Sequence, residues 1–368
     1  MKKEFLEFFA GIGLVRVGLE KEGWTCVFAN DINAGKARIY ESNFGLRQMI
    51  EGDIENIEPE KLPSAILATA SFPCQDLSEA GLSEGIHGPR SSSFWHFTSI
   101  LRRMGGMRPP IVLLENVRGF LTVKKGSNLV LAIKALNNLG YACDTLLIDG
   151  RHFVPQSRPR IFVIGVLESQ LVLRNIKIES AFFKEHLLRP KQILRLMQDN
   201  RDLKWVNFHL PLIPENLVKL ENVLDPLEKV PKEYWFSDDA VSKHLQMMPT
   251  SHKAEIDKLK LSKKNGKFTM YRRMRKGKQK AELRLDEIAG CLRSARGGSS
   301  KQFLVIVEKG ELRMRKFTIS ELSRLMAVPI TFYLPEVYNE VYNALGEAVI
   351  PPVIEWIAKN ILNPLCDF

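Results

Sequence analysis

The sequence predicts an α/β fold in which a doubly wound, Rossmann-like sheet is joined by a second, smaller lobe. From the N-terminus to about residue 167, apolar segments of strand length alternate with helical patterns. The alternation is then lost, and a charged, proline-containing sequence continues to about residue 312. The chain has 368 residues, and single cores stop growing at about 250–300 residues, so two lobes are expected.

The predicted strands are short and rich in β-branched and aromatic residues. They cover residues 5–9, 24–30, 65–70, 110–116, 141–148 and 161–166. Helical spacing of apolar residues lies between them, at residues 14–22, 33–43, 92–104 and 127–139. This order predicts a sheet with helices on both faces, in which ligands bind beyond the carboxyl ends of the strands.

The same changes of pattern give the domain limits. We predict a first domain at residues 1–167 and a second domain at residues 168–312. Residues 313–368 form a third segment, in which helical patterns return near 318–326 and 350–362.

Composition narrows the class of protein. The chain is 45% hydrophobic and 26% charged, as in ordinary globular proteins. Acids interrupt the apolar run at the N-terminus, and no membrane-length apolar stretch occurs, so we expect a cytoplasmic protein without a membrane partner. The five cysteines lie far apart without a C-x-x-C pair, which predicts neither disulfides nor a metal site.

The positive charge is concentrated in one segment, the basic block Lys253–Arg284. It holds 13 Lys and Arg against three acids, or +10 of the net charge of +11. Such a segment either binds a polyanion or forms a solvated charged face. Because Phe268 and Tyr271 are interleaved with the charges, we favour nucleic-acid contact, with Arg272, Arg273 and Arg275 on phosphates.

A glycine turn follows the first predicted strand. Gly11 and Gly13 allow the backbone to approach a ligand, although a plain strand-to-helix turn would look the same. The dinucleotide fingerprint would require a third glycine where this chain has Arg16. Asp31 follows the predicted strand at 24–30, where its side chain can bond a ribose. Asp53 ends a further short candidate strand, where it can accept from an adenine amino group. Together these residues predict an adenosine-bearing cofactor without a pyrophosphate.

Residues with reactive side chains follow later strands. Cys74 lies between Pro73 and Gln75, directly after the strand at residues 65–70. A cysteine over a cofactor cleft is a candidate nucleophile. Further along, Glu115 ends a strand, and Arg158 and Arg160 alternate with a proline. Alternation in an extended segment would turn both arginines toward one pocket.

In this order the motifs resemble those of the bacterial cytosine-5 DNA methyltransferases. The resemblance implies a methyltransferase that uses S-adenosylmethionine, with a target-recognition domain at 168–312 and a C-terminal segment that returns to the catalytic domain. It also implies the cofactor-binding residues Phe9, Gly11, Ile12, Gly13, Asp31, Ile32, Asp53, Ile54, Pro73, Phe94, Glu347 and Val349. Leu14 and Glu347 depart from the residues that many members have, glycine and asparagine respectively.

The resemblance also implies a mechanism. Cys74 would attack carbon 6 of a flipped-out cytosine, Glu115 would donate to ring nitrogen 3, and one arginine would bond the base carbonyl. The other arginine would bond a phosphate or the surroundings of Cys74. Contacts to double-stranded DNA would come from Gln75, Arg272, Arg273, Arg275, Arg296, Gly297 and Gly298.

Other functions are compatible with these motifs. The same catalytic fold serves enzymes that methylate transfer RNA, and a silent relative could bind DNA without chemistry. The basic block favours DNA, and the intact Cys74, Glu115 and Arg160 favour an enzyme. We expect a monomer. Two alternatives stay open for its partners: a restriction–modification or other defence system, with a cognate restriction endonuclease or another defence protein, or a solitary enzyme.

Overall fold

A computed structural model describes residues 2–73, 92–173, 186–293 and 301–366. The chain forms two compact units. The first unit comprises Met1–Ile148, Pro159–Leu212 and Val353–Phe368, and the second comprises Asp149–Arg158 and Ile213–Pro352. These limits differ from the predicted ones: residues 168–212 belong to the first unit, whereas 313–352 belong to the second.

The first unit contains the expected α/β sheet. Among the described residues it has seven strands in the order β3-β2-β1-β4-β5-β7-β6. Their bounds are β1 Glu4–Phe8, β2 Thr25–Asp31, β3 Met49–Glu51, β4 Leu67–Ala70, β5 Ile111–Val117, β6 Tyr141–Asp149 and β7 Pro159–Leu167. The five neighbouring strands β3, β2, β1, β4 and β5 are parallel to one another. Strand β7 runs antiparallel to β5.

The helices of the first unit confirm the alternation read from the sequence. They are α1 Leu14–Glu20, α2 Ala34–Phe44, α3 Ser92–Arg103, α4 Gly119–Thr122, α5 Ser127–Asn138, α6 Glu168–Leu173, α7 Lys191–Asp199 and, running in from the second unit, α12 Pro351–Ile357. The strands and helices predicted up to residue 167 end within two residues of the observed ones. Strand residues such as Phe8 and Leu114 pack with Phe97 of α3 and Ile133 of α5 in one core.

The strand order determines where a ligand can bind. Strand β1 lies between β2 and β4, so the sheet is built outward from β1 in both directions. In such sheets the crevice lies at the carboxyl ends of the strands where the order reverses. The segments that leave these ends are Phe9–Gly13 after β1 and Ser71–Pro73 after β4.

The second unit is organised around an antiparallel sheet. Its strands, in the order β11-β10-β8-β9, are β8 Gly266–Arg275, β9 Lys278–Arg284, β10 Gln302–Glu308 and β11 Glu311–Lys316. Its helices are α8 Asp238–Met247, α9 Thr250–Ser262, α10 Ile319–Leu325 and α11 Tyr338–Glu347. One face of the sheet carries a small core that includes Met270, Ala281 and Val305. No helix within the described ranges is long and apolar enough to span a bilayer.

A buried ion pair attaches residues 186–208 to the first unit. Arg189 donates from Nε to Oδ1 of Asp144 in β6 at 2.9 Å. Its Nη2 donates to Oδ2 of the same carboxylate and to the carbonyl of Phe208. Both side chains are almost fully buried. Burial raises the pKa of Asp144, and Arg189 opposes this shift. This pair is one of the contacts that join residues beyond 167 to the first unit, together with the core residues Ile193 and Trp205.

We expect Arg189→Met to destabilise the first unit by about 3–5 kcal/mol, because it leaves the Asp144 carboxylate buried without its cation. The measurement is the free energy of unfolding in urea. Asp144→Asn combined with Arg189→Met should recover part of the loss. Arg195→Met, an exposed position on α7, is the matched control. Equal stability of Arg189→Met and the control would contradict this account.

Candidate active site and nucleic-acid interface

The turn between β1 and α1 requires glycine at one position. Phe9, Gly11 and Gly13 all have positive φ, at 57°, 59° and 83°. A Cβ atom on Gly13 would lie 2.4 Å from the Phe44 ring and 2.9 Å from the Tyr40 ring. No atom lies within 4 Å of the corresponding point on Gly11. Aromatic rings therefore fill the space beside Gly13, whereas the space beside Gly11 is open.

Asp31 lies against this turn. Its Oδ2 accepts the Gly11 N–H at 2.7 Å, and its Oδ1 accepts the Asn33 N–H at 2.8 Å. Each carboxylate oxygen has two lone pairs, so both can accept a further hydrogen bond. A carboxylate beside an open glycine backbone suits the ribose of an adenosine-bearing cofactor.

The other cofactor residues predicted in the first unit divide into exposed and buried positions. Ile32 is 67% exposed, and Asp53 is exposed and accepts the Glu55 N–H at 3.0 Å. Phe9 is half-buried and Pro73 is exposed. In contrast, the side chains of Ile12, Ile54 and Phe94 are buried. Phe94 packs on Phe72 at 4.9 Å between ring centroids, so it contributes to the core beneath the end of β4.

Glu115 and Arg160 meet at the end of β5. Arg160 Nε lies 3.0 Å from Glu115 Oε1, and each side chain is 12% exposed. In the register of the sheet, Arg160 lies opposite Val117, two residues beyond Glu115, so the pair is diagonal across the antiparallel strands. The guanidinium group thereby fixes the orientation of the carboxyl group.

Asn116 has a role that sequence reasoning did not assign. Its side-chain amide donates to the Phe72 carbonyl at 3.2 Å, and its Oδ1 accepts the Val117 N–H at 2.9 Å. It thus links the end of β5 to the chain two residues before Cys74. An amide that directly follows a buried apolar run and Glu115 was the available signal.

Arg158 does not accompany Arg160, contrary to our prediction. Arg158 is 2% exposed, and its guanidinium group donates to the carbonyls of Leu292 at 2.8 Å, Gly346 at 2.9 Å and Ala348 at 2.5 Å. These partners belong to the second unit, as does Arg158 itself. The alternation argument fails because β7 begins only at Pro159. Arg158 therefore connects segments of the second unit.

The remaining predicted site residues lie elsewhere. Glu347 is the exposed last residue of α11, and Val349 is buried, both in the second unit. Five further residues fall outside the described residues: Cys74, Gln75, Arg296, Gly297 and Gly298. The four cysteines that are described are free thiols, and in the same ranges no cluster of His, Cys, Asp or Glu could hold a metal ion.

The basic block folds into α9 and the hairpin of β8 and β9. Tyr271, Arg273 and Arg275 share one face of β8, where both arginines pair with Glu282 of β9. Arg272 lies on the opposite face, with its guanidinium carbon 5.5 Å from the centroid of the Phe303 ring. The three predicted phosphate contacts are therefore divided between two faces of the hairpin.

Comparison with known proteins identifies the family. A family model described as C-5 cytosine-specific DNA methylase matches residues 3–363. The chain belongs to this family. As a member it methylates carbon 5 of cytosine in DNA and uses S-adenosylmethionine as the methyl donor.

Relatives agree over nearly the whole chain. The type II methyltransferase M.DsaV of Dactylococcopsis salina is 27% identical over 98% of this chain and 86% of its own. M.HaeII of Haemophilus aegyptius is 28% identical over 98% of this chain and 93% of its own. The fold is similar to that of the Entamoeba histolytica methyltransferase EhMeth, with a TM-score of 0.66, 18% identity and 99% coverage of both chains. The S. pombe Dnmt2 methyltransferase has a TM-score of 0.61 at 19% identity, with both chains covered completely.

We expect Asp31→Ala to weaken S-adenosylmethionine binding by about 1.5–3 kcal/mol, the range for hydrogen bonds to a charged group. Titration calorimetry without DNA measures this directly. Glu55→Ala, at an exposed position outside the turn, serves as the control. Wild-type affinity in Asp31→Ala would mean that the cofactor binds elsewhere.

Proposed function

We propose that Cys74 is the covalent nucleophile of this DNA (cytosine-5)-methyltransferase and that Glu115 and Arg160 act on the target base. The observation that supports the proposal is the ion pair between Glu115 and Arg160. Asn116, next to Glu115, bonds the carbonyl of Phe72, two residues before Cys74. Full-length agreement with a DNA methylase family favours DNA over transfer RNA and chemistry over silent binding.

The chemistry explains why these residue types are needed. Carbon 5 of cytosine is a weak nucleophile, and addition of the Cys74 thiolate to carbon 6 makes the ring an electron-rich enamine. Bound S-adenosylmethionine supplies an electrophilic methyl group. Carbon 5 then carries both the methyl group and its original proton. Removal of that proton allows the thiolate to leave.

Glu115 offsets the charge that develops on the ring during attack. A carboxyl group directed at ring nitrogen 3 can donate a proton or a hydrogen bond. Arg160 holds the carboxyl group in one orientation and can itself donate to the base carbonyl, since a guanidinium group has five N–H donors. This leaves Arg158 in a structural role, because its guanidinium group already binds backbone carbonyls.

DNA binding would come from the second unit. A duplex hides carbon 6 inside the base stack, so the target must be flipped out at a cost of a few kcal/mol. The basic block supplies cations for phosphate contacts, and Lys276 and Lys278 are exposed at the tip of its hairpin. We assign recognition of the target to this unit.

The partners of this enzyme are also a proposal. Several relatives are named type II methyltransferases, so we propose that the chain works with a cognate restriction endonuclease in a restriction–modification system. We propose that it acts as a monomer.

We expect alanine at Arg272, Arg273 and Arg275 together to weaken binding to all DNA sequences alike. The plot of log affinity against log salt concentration should flatten by roughly one unit for each lost phosphate contact. Fluorescence anisotropy over a salt series measures the slope. The control replaces Lys229 and Lys232, exposed cations of the second unit outside the basic block. An unchanged slope would remove the three arginines from the interface.

We expect wild-type protein, given cofactor and duplex DNA with 5-fluorocytosine at its target, to form a complex that survives boiling in detergent. Fluorine at carbon 5 replaces the proton that must leave before the thiolate can be released. Cys74→Ser should not form the complex, because a serine hydroxyl is far less ionised than a thiol. Glu115→Gln should form it much more slowly. Denaturing gel electrophoresis measures all three proteins.

Two outcomes would contradict the proposal. A complex that persists in Cys74→Ser would show that another residue is the nucleophile. DNA methylation by the wild type without any trapped complex would exclude the covalent mechanism.

A further inference from the structure

A buried acid lies beneath the glycine turn. Glu7 is in β1, between β2 and β4 in the sheet, and is 1% exposed. Its neighbours in that strand are the buried apolar residues Leu6 and Phe8. A carboxyl group in such surroundings costs free energy unless its oxygen atoms are bonded. The partners of Glu7 therefore indicate what the residue does.

Both oxygen atoms of Glu7 bond to groups that shape the turn. Oε1 accepts the backbone N–H of Arg16 in the first turn of α1 at 3.2 Å. Oε2 accepts from the hydroxyl of Tyr40 in α2 at 3.1 Å. Gly13, the residue before α1, has no side chain that could cap the helix. Glu7 satisfies one of the N–H groups left open there.

Tyr40 connects this carboxyl group to the glycine. Its ring carbons lie 2.9 Å from where a Cβ atom of Gly13 would be, so the ring forms the floor of the turn. Its hydroxyl also accepts from Arg16 at 3.2 Å and lies 3.4 Å from the thiol of Cys26. Movement of Glu7 would be transmitted to the helical end of the turn by two routes, through Arg16 to α1 and through Tyr40 to Gly13.

Arg16 completes the cluster. It occupies the position where a dinucleotide fingerprint has its third glycine, and its guanidinium carbon lies 4.2 Å from the centroid of the Phe44 ring. Its Nε pairs with Glu20 at 2.6 Å. The ring of Phe44 is the other group that a Cβ atom on Gly13 would meet. The long cation thus packs on the aromatic floor of the turn.

We propose that Glu7 is a positioning residue for S-adenosylmethionine: its carboxyl group clamps the turn Phe9–Gly13 through Arg16 and Tyr40, and it does so more firmly when ionised. This inference rests on the proposed placement of the cofactor at that turn. An ionised carboxylate accepts stronger hydrogen bonds than a neutral one. It also attracts the positively charged cofactor.

The ionisation state of Glu7 changes within the working range of pH. Burial raises the pKa of Glu7 to about 8, opposed by the hydrogen bond from Tyr40 and the charge of Arg16. The other groups of the cluster do not titrate near pH 8: burial raises the pKa of Cys26 to about 12 and that of Tyr40 further. Arg16 remains a cation. By linkage, cofactor binding should tighten as pH rises through 8, relative to a protein that cannot ionise at this position.

The first test compares wild type with Glu7→Gln, whose side chain resembles the protonated acid. Titration calorimetry gives the Kd for S-adenosylmethionine at pH 7 and pH 9. The ratio of the Kd of Glu7→Gln to that of wild type should be near one at pH 7 and rise by up to about tenfold at pH 9. With a pKa of about 8, the ionised fraction of Glu7 rises from about a tenth at pH 7 to about nine tenths at pH 9. Titration of the cofactor cancels in this ratio. A ratio that does not change with pH would overturn the proposal.

The second test uses Tyr40→Phe, which keeps the ring under Gly13 and removes the hydroxyl. We expect about 3–10-fold weaker cofactor binding, the loss of one hydrogen bond. Tyr141→Phe is the matched control, because Tyr141 is equally buried in the first unit and donates to the Pro109 carbonyl at 2.6 Å, away from the turn. If Glu7→Gln and Tyr40→Phe lose stability in urea but bind the cofactor normally, the role of Glu7 and Tyr40 is structural and the proposal fails.

Asp31→Ala separates two claims: that the cofactor binds at the turn, and that Glu7 clamps the turn. Weaker binding in Asp31→Ala with normal binding in Tyr40→Phe and a constant ratio for Glu7→Gln would leave the cofactor at the turn and reject the clamp. Normal binding in all three variants would reject the placement of the cofactor and the clamp with it.

Discussion

The geometry of the proposed active site depends on the direction of β7. Strands β1, β4 and β5 are parallel, so residues that follow them meet at one edge of the sheet. β7 runs the other way, and its first residues therefore lie where β5 ends. This reversal brings Arg160, from the beginning of one strand, to Glu115, near the end of another. Asn116 then ties the same edge to Phe72 after β4.

The sequence was sufficient where local pattern determines structure. Apolar runs predicted the strands of the first unit, and the glycine turn and Asp31 were placed together, as Gly11 and Asp31 are. It was insufficient where structure depends on pairing between distant segments. The reversal of β7 has no local signal, and Arg158 could not be separated from Arg160 by alternation alone. Glu7 looked like an ordinary interruption of an apolar run, because its partners lie on α1 and α2.

The second unit shows a different limit of pattern reading. Strand β8 alternates residues of the small core, such as Met270, with residues of the other face, such as Tyr271 and Arg273. High charge hid the period of two that a half-buried strand has. The same alternation makes one hairpin serve two purposes, since Met270 stabilises the unit while Arg273 and Arg275 remain at the surface around Glu282. Net charge located this surface, but only the sheet shows which cations share a face.

The interleaving of the two units constrains the order of folding during synthesis. The last stretch of the first unit, Val353–Phe368, follows the entire second unit in the chain. Ile354, Ile357 and Leu362 in that stretch are buried. A ribosome that has completed Ile213–Pro352 has therefore produced every residue of the second unit while the first still lacks part of its core. Domains fold as units, so the first unit can complete its core only after every residue of the second unit has been synthesised.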